Sequence, residues 1–169
     1  MDLVTFTFGG LITFTSIYTV ERDLGDPALF FVVYAVILML TRPLAGNLSD
    51  RRRRETVLLP GIALTGAALA VLGLASAPWM LVTVAALYAL GFGASQPALQ
   101  AMVVDRIPPN RRGAAHAAFF IAFDLGIGFG AMLLGALSGA VGIPTMFFAC
   151  VGFTTVTFAV AFLAGLHRA

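Results

Sequence analysis

The chain has 169 residues, of which 60% are hydrophobic and 11% charged, and its mean hydropathy is +0.98. About a quarter of the residues of a soluble domain are charged, so this composition excludes a soluble globular class and implies a membrane chain. All ten basic residues are arginine, and the pI near 9.2 therefore comes from a few loop arginines rather than from a basic surface suited to nucleic acid. The single Cys150 lies in an apolar block, which rules out a disulfide framework and a thiolate metal site.

A spanning helix needs about 20 residues, so the length allows six spans joined by short loops. Apolar runs and breakers predict helices over 3–20, 28–46, 56–75, 79–103, 113–140 and 145–166, together forming one transmembrane domain over 1–169. Gly25 to Pro27, Asp50 to Glu55, Ser76 to Pro78, Pro108 to Gly113 and Gly142 to Pro144 break the chain between them. Barrel strands are excluded, because they run about 9 to 11 residues with alternating polarity. The expected fold is an all-α, polytopic bundle.

The first block follows Asp2 rather than a basic segment and is followed by no cleavage site, so it reads as a span and not a signal peptide. Arg42, Arg51 to Arg54, Arg106, Arg111, Arg112 and Arg168 gather at one end of the helices, with Arg22 alone at the other. The positive-inside bias then puts both termini in the cytoplasm of an inner or plasma membrane. Tyr18 and Trp79 fall at the outer interface, where amphipathic rings are favoured.

Gly46-Asn-Leu-Ser-Asp50-Arg51-Arg-Arg-Arg54 closes the second helix. Gly46 admits a neighbouring helix, Asp50 can cap or pair at a helix end, and the arginines can bind the acid or lipid phosphate. A purely topogenic anchor would account for the arginines but not for Gly46 and Asp50. The stretch resembles the loop signature of the major facilitator superfamily, Gly-x-Leu-x-Asp-Arg-x-Gly-Arg-Arg, at Gly46, Leu48, Asp50, Arg51 and Arg54. It departs at Arg53, where the family has glycine, and at Glu55, where a second basic residue is usual. Phe30 to Ala35 and Thr41 to Gly46 resemble the eighth helix of twelve-helix facilitators, and Gly91 to Gln100 with Asp105 to Gly113 the tenth helix and its loop.

The resemblance implies the C-terminal six-helix half of such a carrier, built as two three-helix repeats of inverted topology. It further implies secondary active transport of a small molecule by efflux or proton-coupled exchange, with no enzyme chemistry, cofactor or metal. The implied partners are the bilayer, the substrate, and either an N-terminal half or a second copy. By the same resemblance Gly46, Asp50, Arg51 and Arg54 form a conformational latch. The alternative is a truncated, non-transporting fragment or assembly subunit.

Asp124 stands twelve residues beyond Arg112, about 18 Å of helix, so it belongs near mid-bilayer. Facing lipid, its carboxylate would cost about 2.5 to 3.5 kcal/mol, so a cavity or a partner is expected beside it. Its role is either proton coupling or a structural hydrogen bond to a neighbouring helix. Gln96 and Gln100, one turn apart, share a face with cavity potential, and Thr13, Ser16 and Tyr34 are further lining candidates. Gly126 and Gly130, and Gly135 and Gly139, are four apart and mark a close helix contact.

Other patterns fail on context. Gly126-Ile-Gly128-Phe-Gly130 has no preceding strand, as a dinucleotide loop requires. Ser95 and His116, the one serine–histidine pair open to an intramembrane protease, differ in depth by roughly 9 Å. Asn47-Leu-Ser49 is a glycosylation sequon on the cytoplasmic face, and the two Pro-Ala elements lack the asparagine of a water channel.

Overall fold

A computed structural model describes residues 2–51 and 54–166, without the side chains of 2, 3, 50 and 164–166. It has six α-helices: α1 (Asp2–Glu21), α2 (Pro27–Arg51), α3 (Glu55–Gly73), α4 (Pro78–Val104), α5 (Arg112–Val141) and α6 (Ile143–Leu166), with a short 3-10 turn at Pro109–Arg111. Proline opens α2 and α4, where a missing N–H costs nothing. Gly142 at φ 85° joins α5 to α6 through a left-handed conformation that a side chain would strain.

Among the described residues, five helices, α2 to α6, are long and apolar enough to cross a membrane. α1 carries Thr5, Thr7, Thr13, Thr15, Ser16 and Thr19 within its apolar run. Two of those hydroxyls bond back to the helix itself, Thr7 to the Val4 carbonyl at 2.8 Å and Thr19 to the Thr15 carbonyl at 2.7 Å. Those two hydroxyls are satisfied within the helix, whereas the buried Thr15 hydroxyl has no hydrogen-bond partner among the described residues.

Packing follows a pattern. α1 lies on α5 as α4 lies on α2, and α3 lies on α6. Exchanging the first three helices with the last three maps each of these contacts onto another or onto itself. Because three helices separate equivalents, each helix runs opposite to its counterpart, which is the inverted repeat that no internal sequence identity displays. α3 and α4 touch where Gly61 meets Gly91, and a Cβ on Gly61 would lie 2.8 Å from the Gly91 carbonyl oxygen.

The core is aromatic where α1, α2, α4 and α5 converge. Phe8 stacks on Phe92 at 4.3 Å between ring centroids, and Tyr34, Tyr88 and Phe123 surround the pair. Two interface expectations part company here. Trp79 is exposed at the start of α4, but Tyr18 is buried, edge-on to Phe147 and capped by the Arg22 guanidinium at 5.5 Å from its ring. Sequence position sets a residue's depth, whereas its direction on the helix decides whether it meets lipid or core.

α2 extends to Arg51, five residues past the expected end at 46. Gly46 to Asp50 is therefore helix rather than loop, and Arg42 sits deeper than an end-of-helix arginine. It precedes Arg51 by nine residues, about 14 Å along the axis. Pro43 does not stop the helix, although it removes one internal hydrogen bond.

Candidate functional site

Gln96, Gln100 and Gly93 share one sector of α4. Gly93 lies against Leu38 and Thr41 of α2, and the Gln100 amide nitrogen lies 3.2 Å from His116 Nδ1 of α5. That sector therefore lies between α2 and α5, which among the described residues make no extensive contact with each other. On α5, His116, Phe120 and Asp124 stand at four-residue steps, forming one ridge that borders this opening. Asp124 is exposed at the bundle surface, so its own six helices do not enclose it.

On α2, Leu44 and Leu48 turn toward α3, where they line an apolar groove of about 320 Å³ with Pro60 and Leu64. Arg42 is exposed and lies 100° from Thr41 on the other side, toward the opening. Thr41 packs on Gly93, and Phe123 meets Phe92 at 6.2 Å between ring centroids. α2 runs parallel to α4 and α5 antiparallel to it, so Arg42 lies about one residue beyond the level of Gly93, toward Gln96, and Asp124 about one residue before that of Phe92, roughly 5 Å apart in depth. Arg42 had been grouped with the cytoplasmic arginines. The signal that could have found it is its isolation, as the one charged residue between Pro27 and Ser49.

Tyr34 is not a lining residue. Its ring stacks on Phe30 at 6.2 Å between centroids, and its hydroxyl is buried without a hydrogen-bond partner among the described residues, as is that of Tyr88. Of the other hydroxyl candidates, Thr13 is exposed and Ser16 half-buried on α1. Ser95 is buried against Gly61 of α3, whereas His116 faces Gln100, so the two never meet as a catalytic pair.

The second polar region is at the arginine-rich end. Arg54 and Asp105 form a 2.8 Å ion pair joining the start of α3 to the end of α4. Both are partly exposed, so the pair contributes no more than about 1 kcal/mol and is easily broken. Asp105 is the member that reasoning from the signature alone missed. Arg51 is exposed, and the Asp50 side chain lies outside the described residues. Gly46 is a correction, because among the described residues nothing approaches within 4 Å of the place its Cβ would take.

The glycines of α5 divide. Gly130 is pressed on the Phe6 backbone of α1, Gly126 is buried, and a Cβ on Gly135 would lie 3.2 Å from the Phe14 ring. Gly139 has open space around it and makes no close packing. Gly135 follows Gly130 by five residues rather than four, so the second pair is rotated about the helix axis relative to the first.

Six helices, five of them among the described residues long and apolar enough to cross a membrane, define an integral membrane protein. The family profile of the Major Facilitator Superfamily matches residues 3–168, and the chain belongs to that family. It is an integral membrane protein of a transporter family and not an enzyme. It is 33% identical over 140 residues, 83% of its length, to uncharacterized MFS-type transporters of Burkholderia mallei (strain SAVP1) and Burkholderia pseudomallei (strain K96243). To the uncharacterized MFS-type transporter YhhS of Salmonella enteritidis PT4 it is 26% identical over 152 residues, 90% of its length. The matched stretch is 34% of the Burkholderia proteins and 38% of YhhS, so the chain spans little more than a third of these relatives.

Proposed function

We propose that the chain is the C-terminal half of a secondary active transporter that moves a small molecule by efflux or proton-coupled exchange. The observation that carries this reading is the opening between α2 and α5, where Gln96, Gln100 and Asp124 stand at membrane depth. Polar groups left in lipid are costly, so this wall calls for an opposite wall. The exposed apolar faces of α2 and α5, including Val32, Val36, Leu125 and Phe129, fit the same partner. The partner is an N-terminal half or a second copy, and the fragment reading corresponds to the chain with neither.

The shared position of Arg51, Arg54, Arg106, Arg111 and Arg112 at one end of the bundle supports the reading that this end and both termini face the cytoplasm of an inner or plasma membrane. Single cysteines replacing Asn47 and Gly25 are expected to label from opposite sides of the membrane. Labelling of position 47 from outside would reverse the orientation.

Asp50, Arg51 and Arg54, with Asp105 added, form the latch of this reading, a surface contact weak enough to open in one access state and close in the other. Reconstitution in liposomes tests the whole proposal. The chain alone is expected to give no flux, and the chain with its complementary half to give gradient-driven flux. In that assembled carrier Arg54→Asp should slow flux, and the swap Arg54→Asp with Asp105→Arg should restore part of it. Flux by the lone monomer would remove the half-carrier reading, and an unrescued swap would reduce the arginines to an anchor.

A further inference from the structure

We infer that Arg42 is the anion-binding residue of this opening, so that the molecule taken up between α2 and α5 carries a carboxylate or phosphate group. The inference rests on the transporter reading and adds a substrate class to it. Arg42 lies seven residues, about 10 Å, inside Ser49, the nearer end of its candidate span. Helical side chains lean toward the helix N-terminus, so this one leans away from the nearer surface and is poorly placed to snorkel to it.

Arg42 has no ion pair or hydrogen bond among the described residues. An unpaired guanidinium at this depth needs water or an anion. Its planar fork of donors matches carboxylate and phosphate oxygens in bidentate fashion. The glutamines beside it can bind the neutral part of the same molecule by hydrogen bonds from their amides. Asp124, about 5 Å away in depth across α4, would repel a second negative charge. It leaves Arg42 as the anion's anchor and sets the polarity with which the molecule lies in the opening.

The test places Ala35→Cys, exposed on the same face of α2 two turns from Arg42, in a Cys150→Ala background of the assembled carrier in phosphatidylcholine vesicles. Its thiol is labelled with an anionic or a cationic methanethiosulfonate. The ratio of anionic to cationic rates is expected to fall about tenfold on Arg42→Gln and to persist in Arg42→Lys, as for a charge focused in a low-dielectric cleft. Succinate or benzoate should slow labelling, and the corresponding amides should not. An unlabelled thiol, a ratio indifferent to Arg42→Gln, or equal protection by acids and amides would overturn the inference. So would an effect of succinate and benzoate that vanishes when phosphatidylglycerol is added, since that assigns the site to a lipid headgroup. None of these readouts depends on flux, so a failed transport assay and a failed anion site are distinguishable.

Discussion

In an assembled carrier, Asp124→Asn should insert normally yet lose gradient-driven, pH-dependent flux, falling to the level of protein-free liposomes. Asparagine keeps the shape of the side chain and its capacity to hydrogen-bond, but it neither carries the charge nor exchanges a proton in this range. Asp124 is the one acid deep in a span, and it has no hydrogen bond or ion pair among the described residues. It faces the opening beside Gln96 and Gln100 rather than the α1–α5 contact, where a structural hydrogen bond would be made. A group holding two helices together would tolerate asparagine. If proton-driven flux survives the substitution, Asp124 is a lining or packing residue and the coupling group lies in the other half.

The second large effect is on stability. A Cβ at Gly130 would lie 2.8 Å from the Phe6 Cα and 2.9 Å from its carbonyl carbon, and backbone has no rotamer by which to move aside. The reciprocal contact, Gly9 against the Ile127 backbone, locks the same pair of helices. Gly130→Ala must therefore separate α1 from α5, at a cost toward the upper end of the range of about 1 to 3 kcal/mol typical of overpacked cores. Gly139→Ala meets open space and should be neutral or stabilising by up to about 1 kcal/mol, the helix-propensity gain over glycine. Thermal unfolding of the detergent-purified chain separates them. Equal melting temperatures for the two variants would show that α1 and α5 do not depend on this contact.

The two predictions bear on different parts of the α5 sequence, and their legibility differs for a physical reason. An acid within an apolar block is visible as a violation of composition, so Asp124 could be picked out at once. Glycines four apart are visible as a pattern, but spacing alone does not say which of them a neighbour reaches. Gly130 and Gly139 look alike in sequence and are opposite in structure. With its helix closed at 46, Arg42 reads as an end-of-helix arginine, whereas α2 runs to Arg51 and places it well inside the span.

The sequence by itself determined that this is an all-α membrane chain with six helices. It also determined where the breaks fall and which family the Gly46 to Arg54 stretch belongs to, because hydropathy blocks, turn residues and a local motif are written in consecutive residues. Only the tertiary structure decided which faces meet. The α1–α5 and α2–α4 pairing, the burial of Tyr18 and Tyr34, the partnership of Arg54 with Asp105, and the placement of Arg42 and Asp124 on either side of one polar ridge join residues dozens of positions apart. Such contacts depend on the rotation of each helix about its axis. In a chain apolar on nearly every face, no amphipathic stripe records that rotation, and it is set by close packing at a few glycines and aromatic rings.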